Sequence, residues 1–242
     1  MNPPFPILYE DPHCLVVSKP NGVLTQFADN RPGEISLEDQ IQLYLQEITH
    51  NEQSYLGTVH RLDKPVSGVI VWAKTPRAAR RLAKDFEARR VVKVYWAIVE
   101  GSPSEPSGEW IDWLGPDPAV PSRIIVGDER PDAKRAVTRF EIGERSPPAS
   151  ENETASDSSL TRLILRPETG RSHQLRAQTS ARGTPIVGDI HYGSTADNLM
   201  GIALHARSLT FRHPQTYELM TFQAEVPAWW RERRFPVHST DT

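Results

Sequence analysis

Three short segments of this 242-residue chain hold side chains whose types and spacing could do chemistry. The first is Val59-His60-Arg61-Leu62-Asp63-Lys64-Pro65-Val66-Ser67-Gly68, followed at once by the apolar run Val69-Ile70-Val71-Trp72-Ala73. It sets a carboxylate, Asp63, between the cations Arg61 and Lys64 at the mouth of a buried strand. Charge is costly beside a core unless it is paired or used, so a carboxylate placed there is a candidate reactive group. The second segment is Lys93-Val94-Tyr95, where strand alternation puts Lys93 and Tyr95 on one face. The third is Glu168-Thr169-Gly170-Arg171-Ser172-His173-Gln174-Leu175-Arg176, a glycine turn entering a helix and dense in Arg, His and Gln. A helix start with arginines suits a phosphate or a carboxylate. Together these segments offer a nucleophilic carboxylate, an aromatic platform and a guanidinium clamp. Plainer roles stay open for each: an ion-pair partner for Asp63, a core aromatic for Tyr95, a surface helix position for Arg176, and structural hydrogen bonding for His60 and His173.

The elements that must position these residues follow from periodicity and punctuation. Residues 7–18 read as a strand, a turn at Glu10-Asp11-Pro12-His13, and a second strand, with Lys19-Pro20-Asn21-Gly22 as a strong turn. Ser36 to Ile48 fits a helix capped by Ser36, with Leu37, Ile41, Tyr44, Leu45 and Ile48 on its apolar face. Val69 to Ala73 predicts a fully buried strand. Thr75 and Pro76 open a second helix whose stripe is Ala79, Leu82, Ala83 and Phe86. Residues 91–99 alternate as a strand. Residues 102–122, rich in Pro, Gly and acid, read as loop. Strands are expected at 134–142, 160–166, 207–212 and 219–224, and a helix from Ser172 to Arg182 ending at Gly183. The segment 146–159 has no hydrophobic period and reads as a mobile surface insertion. Strands with single interspersed helices, without regular βαβ alternation, point to an α+β fold with a mixed, largely antiparallel sheet.

Composition narrows the class. An apolar fraction of 38% and a charged fraction of 24% fit a globular protein. Met1-Asn2-Pro3-Pro4-Phe5-Pro6 lacks the basic and apolar regions of a signal peptide, and no apolar run is long enough to span a membrane. Cys14 is the single cysteine, which excludes an intrachain disulfide, and a cytoplasmic protein is expected. The net charge of −3 argues against a protein that coats nucleic acid by charge alone. Yet charge is segregated: Arg77 to Lys93 holds seven cations against two acids, a local +5, and Thr161 to Arg182 a local +4.

Several blocks, in order, resemble the RluA-type pseudouridine synthases. Tyr9-Glu10-Asp11-Pro12-His13-Cys14-Leu15-Val16-Val17-Ser18-Lys19-Pro20 is similar to the family's first strand pair and Lys-Pro turn. His60 to Gly68 resembles its catalytic loop, and Lys93-Val94-Tyr95-Trp96-Ala97 its Lys-x-Tyr-x-Ala strand. Thr169 to Arg176, then Pro185-Ile186-Val187-Gly188-Asp189, Tyr192-Gly193 and Leu204-His205-Ala206, resemble its late blocks. Any one block is a weak signal; all of them in order are specific. The similarity runs over about residues 7–226 of an expected single catalytic domain, 1–242, with no S4-type RNA-binding domain in front. Val66 stands where the family usually has Thr, which removes a hydroxyl from the catalytic loop.

The resemblance implies the pseudouridine synthase fold and an isomerase that converts uridine in ribosomal or transfer RNA to pseudouridine. It makes Asp63 the essential carboxylate, attacking C1′ or assisting a glycal intermediate. Arg176 is the position that pairs with this aspartate in relatives, and Tyr95 would stack on the uracil. The target base must leave its stack. His60, Arg61, Lys93, Arg171, His173 and Leu175 are the expected substrate-binding positions, with Arg61 filling the gap or holding neighbouring nucleotides. No metal or organic cofactor is implied, no Cys/His group has zinc-type spacing, and nothing in the resemblance requires a dimer. A non-catalytic RNA-binding relative would be expected to have lost Asp63, Tyr95 or Arg176, and all three are present. A glycoside hydrolase generally needs two facing carboxylates, and the matched blocks offer no obvious second one.

Overall fold

In chain order the elements are β1 (Ile7–Glu10), β2 (Cys14–Lys19), α1 (Leu37–Thr49), β3 (Gly57–Thr58), β4 (Ser67–Ala73), α2 (Pro76–Glu87), β5 (Val92–Glu100), β6 (Ser107–Pro116), β7 (Ile124–Gly127), β8 (Lys134–Arg145), β9 (Leu160–Pro167), α3 (Gln174–Ser180), β10 (Leu204–Arg212), β11 (Leu219–Gln223) and α4 (Ala228–Glu232). A 3-10 turn, Ile190–Tyr192, precedes β10. The computed structural model describes residues 3–26, 33–50, 54–145, 160–196 and 200–237, so the 146–159 segment expected to be an insertion lies outside the described residues. The chain divides into two compact units, Met1–Lys93 with Ala206–Val226, and Val94–His205 with Pro227–Thr242. No helix among the described residues is long and apolar enough to cross a membrane.

In the first unit β2 lies between β1 and β4, antiparallel to both, and β3 and β11 pair antiparallel with β4 and β10. All seven residues of β4 are buried, as its unbroken apolar run predicts. Cys14, Val16, Val69, Val71, Leu209 and Phe211 form the core, covered by Ala78 and Leu82 of α2. Burying Leu82 alone contributes roughly 2 kcal/mol. Thr75 caps α2, its Oγ1 accepting from the Ala78 N–H at 3.1 Å, with Pro76 in the first turn. Ala78 takes the place expected of Ala83, which is exposed; Ala83 lies about 90° round the helix from the centre of the packed stripe. Ser36 and Asp39 form a reciprocal capping box on α1, whose buried residues are Leu37, Ile41 and Leu45. Ile48 shares that face but sits in the last turn, past the buried positions, and is 47% exposed.

In the second unit the antiparallel order is β5, β9, β8, β6, β7. The expectation of a loop over 102–122 is corrected: residues 107–116 form β6, paired with both β8 and β7. Its inward alternation is Trp110, Asp112, Leu114, so a polar residue interrupts the apolar period. Asp112 is usable there because Gln178 Nε2 donates to its Oδ2 at 2.6 Å and Arg182 pairs with it at 3.1 Å. Trp110 stacks on Phe140 with centroids 4.4 Å apart. α3 is shorter than the expected 172–182, running Gln174–Ser180. It closes through Gly183 at φ +70, as the glycine predicts, with the Thr184 N–H bonded to the Thr179 carbonyl at 3.1 Å. These antiparallel pairings, with the four helices among the described residues, make the expected α+β class.

Candidate active site

The Asp63 loop is held by the segment that follows β2. Thr25 brackets Leu62 on both sides: its Oγ1 donates to the Leu62 carbonyl at 2.7 Å and accepts from the Leu62 N–H at 3.2 Å. The Lys64 carbonyl accepts from the Gly22 N–H at 2.9 Å and from Lys19 Nζ at 3.1 Å. Asn21 Nδ2 donates to the Pro65 carbonyl at 2.7 Å. The Val66 N–H returns to the Asp63 carbonyl at 3.0 Å, closing a tight turn through main-chain atoms alone. That bond needs no side-chain hydroxyl, and the Val66 side chain is buried. Gly22 at φ +78 makes the turn that brings 19–25 alongside the loop. The residues on either side of Asp63 are therefore fixed by backbone hydrogen bonds, while Asp63 itself is half-buried.

Upstream, His60 ties the loop to β4 and α2. Its Nε2 accepts from the Val71 N–H at 3.1 Å, and its ring stacks on Phe86 at 4.5 Å. Burial, with the Lys93 charge adding to it, lowers its pKa to about 3, so the imidazole is neutral with its proton on Nδ1. Downstream, Gly68 sits at φ +118 against Ala206 of β10. A Cβ there would lie 2.6 Å from the Ala206 nitrogen and closer still to its carbonyl oxygen.

The cations beside Asp63 differ from its sequence neighbours. Lys64 Nζ is taken by Glu34 at 2.7 Å, and Arg61 is exposed. Lys19 is the buried cation of the loop, 0% exposed, with Nζ donating to the carbonyls of Pro20 and Lys64. Burial lowers its pKa to about 7 against the opposing pull of the Asp63 charge.

In the second unit the turn into α3 is fixed by a buried amide network. Gln174 Nε2 donates to the Val137 carbonyl at 3.1 Å and to Thr138 Oγ1 at 2.8 Å, while its Oε1 accepts from Thr169 Oγ1 at 2.7 Å and from the Arg171 N–H at 3.1 Å. Every hydrogen-bonding lone pair and proton of that amide finds use, which is what a buried Gln requires. The turn aims Arg176 inward. Its Nε and Nη2 meet Asp189 Oδ2 and Oδ1 at 2.6 and 2.8 Å, a bidentate buried pair, and its guanidinium lies 4.7 Å over the Tyr192 ring. The Tyr192 hydroxyl bonds His173 Nδ1 at 2.8 Å and accepts from the Ile124 N–H at 3.0 Å.

Among the described residues one group of potential metal ligands clusters: Asp11, Cys14 and His213, with ligand atoms within 4.8 Å of one another. Its chemistry is that of a clasp. Asp11 accepts from the His13 and Cys14 N–H groups and from His213 Nε2, and His213 Nδ1 accepts from the Thr216 N–H. Burial pushes the Cys14 thiol to about 12, so it stays protonated.

Comparison with known proteins decides what this arrangement belongs to. The family model described as RNA pseudouridylate synthase matches residues 13–181. The chain belongs to that family. It is 36% identical over 234 residues to the dual-specificity RNA pseudouridine synthase RluA of Haemophilus influenzae, covering 93% of this chain and 94% of that one. It is 37% identical over 226 residues to the protein of the same name from Escherichia coli, covering 90% and 91%. Among solved structures, the human RNA pseudouridylate synthase domain-containing protein 4 superposes with a TM-score of 0.74 at 23% identity, over 93% of this chain and 90% of that one, which speaks for the fold. The chain is thus an RNA-modifying isomerase that forms pseudouridine.

The residues expected from the sequence divide between the units. Asp63, His60, Arg61 and Lys93 lie in the first; Tyr95, Arg171, His173, Leu175 and Arg176 lie in the second. Lys93 is half-buried, its pKa lowered to about 8 by burial and by the Arg89 charge. Tyr95 is half-buried on β5, in register with Leu165. Leu175 is 7% exposed, and Arg171 Nε donates to the Arg135 carbonyl at 3.1 Å. Sequence reading gave no role to Lys19, Thr25 or Asp189. Lys19 and Asp189 stood inside matched blocks; Thr25 carried no signal, because its partner Leu62 lies 37 positions away.

Proposed function

We propose that Asp63 is the reacting carboxylate, Tyr95 the platform on which the flipped uracil stacks, and Arg176 the guanidinium of the centre, with ribosomal or transfer RNA as substrate. The N1–C1′ bond of the target uridine breaks, the base turns, C5 bonds to C1′, and the C5 proton is lost while N1 gains one. The observation that supports this is the clamped Asp63 loop: Thr25, Lys19 and Asn21 bind the carbonyls of Leu62, Lys64 and Pro65 and so fix the main chain on either side of Asp63. Arg61, exposed two residues before it, fits the task of filling the space the flipped base leaves. The relatives named dual-specificity RNA pseudouridine synthases support RNA as the substrate, with more than one target. A cytoplasmic monomer fits a chain whose lone thiol is buried and protonated.

The test uses ribosomal RNA and tRNA, unmodified and tritiated at uracil C5, assayed separately with wild type and Asp63→Ala. Tritium release by wild type alone is the expected result and names the RNA class. Release by Asp63→Ala near the wild-type rate would remove Asp63 from the chemistry.

A further inference from the structure

Helix α2 carries cations that have no acidic partner among the described residues. Seen down its axis, at about 100° per residue, Ala78, Leu82 and Phe86 face the core, and Arg77, Arg80, Arg81 and Lys84 fill the opposite arc of about 100°. Asp85 and Glu87 stand at the two edges of that arc. Asp85 is engaged by Arg90 Nε at 2.7 Å. Arg81 is held too: Nη1 donates to the Pro214 carbonyl and to Gln215 at 3.3 Å, with the guanidinium 4.9 Å over Tyr217. Arg77, Arg80 and Lys84 are exposed, and no carboxylate among the described residues pairs with them. The same holds for Arg89, just past the helix. Elsewhere in the unit Lys64, Lys74 and Arg207 each meet an acid.

Placement gives this stripe its meaning. Phe86, on the packed side of α2, stacks on His60, three residues before Asp63, so helix and loop are built as one piece. In a chain of net charge −3, concentrating unpaired cations on the helix that supports the loop makes a local attraction for a polyanion. We propose that Arg77, Arg80 and Lys84 of α2 form an RNA-backbone contact, binding phosphates of the strand outside the target nucleotide without reading its sequence. This rests on the reading of the chain as an RNA pseudouridine synthase. The stripe spans about 10 Å of helix, from Arg77 to Lys84. Its contribution is counterion release, so it sets affinity and salt sensitivity and leaves the chemical step alone.

The experiment measures binding of unmodified transfer RNA transcripts between 50 and 200 mM salt. It compares wild type, Arg77→Gln/Arg80→Gln/Lys84→Gln, and a control that removes equal charge elsewhere, Arg231→Gln/Arg233→Gln/Arg234→Gln. Gln keeps helix propensity close to that of Arg and Lys, so α2 is retained; melting curves check it. The stripe variant is expected to lower the log–log salt slope by about two to three, so that across this range wild type loses roughly 16- to 64-fold more affinity than the variant. The control keeps the wild-type slope. An unchanged slope in the stripe variant, or an equal loss in the control, overturns the proposal. Tritium release measured in parallel on both transfer and ribosomal RNA keeps the two readings apart: a wild type that binds with this salt dependence but releases no tritium from either RNA fails the synthase reading and leaves the stripe standing.

Discussion

Lys19 Nζ donates to the carbonyl oxygen of Lys64, 3.1 Å away and 45 positions further along the chain, one residue past Asp63. A fully buried amine is thereby spent on the backbone of the reactive loop. The contact joins the end of β2 to the entrance of β4 and accounts for a Lys-Pro turn lying so far in sequence from the aspartate it serves.

Lys19 imposes a pH dependence on stability. Its folded-state pKa of about 7 lies below the ordinary lysine value of 10.5. Its contribution is complete above 10.5 and is lost as pH falls toward 7, because the unfolded chain binds a proton that the folded chain refuses. Lys19→Met removes that penalty at the cost of two hydrogen bonds, about 1 kcal/mol each. Melting temperatures of the two proteins from pH 7 to 10 are expected to show the gap moving in favour of wild type as pH rises. A constant gap would mean that Lys19 titrates as an ordinary lysine.

His60 acts in the acid range. Its pKa falls from 6.5 to about 3 in the folded state, so its stabilisation is present above pH 6.5 and drains away as pH drops toward 3. In His60→Gln the slope of melting temperature between pH 6.5 and 5, above most carboxylate titrations, is expected to flatten relative to wild type. Equal slopes would remove His60 from acid sensitivity.

Gly68→Ala is expected to cost at least about 3 kcal/mol, because it combines a left-handed backbone angle with a collision against Ala206 main-chain atoms that cannot swing aside. Urea unfolding of the soluble fraction reads this directly. A change under 1 kcal/mol would show that β10 can move away from β4.

Asp189→Ala removes the bidentate partner of the Arg176 guanidinium, whose side chain is 8% exposed. Loss of one member of such a pair costs about 3–5 kcal/mol, or a melting-temperature fall of roughly 6–20 °C. Asp189→Asn keeps an acceptor for Nε and is expected to lose less. Equal, small losses in both would mean that Tyr192 and neighbouring acceptors suffice for Arg176.

Local chemistry made much of the molecule readable from the chain alone. The unbroken run Val69 to Ala73 becomes the all-buried β4, Thr75-Pro76 opens α2, Ser36 caps α1, and Gly183 ends α3. The ordered blocks carried the family, and with it Asp63. Residues 107–116 were misread because Asp112 breaks the apolar alternation of β6, and it is tolerated only through Gln178 and Arg182 of a later segment. Lys64 adjoins Asp63 in sequence, yet its ammonium goes to Glu34, and Lys19 is the buried amine that binds the backbone of the loop. What the sequence determined by itself were features set within a few residues: periodicity, caps, turns and the identity of the reactive groups. Tertiary structure decided the partners of buried polar atoms, Thr25 for Leu62, Lys19 for Lys64 and Asp189 for Arg176, because a buried donor takes whatever acceptor the packing brings within about 3 Å, however far apart the two lie along the chain.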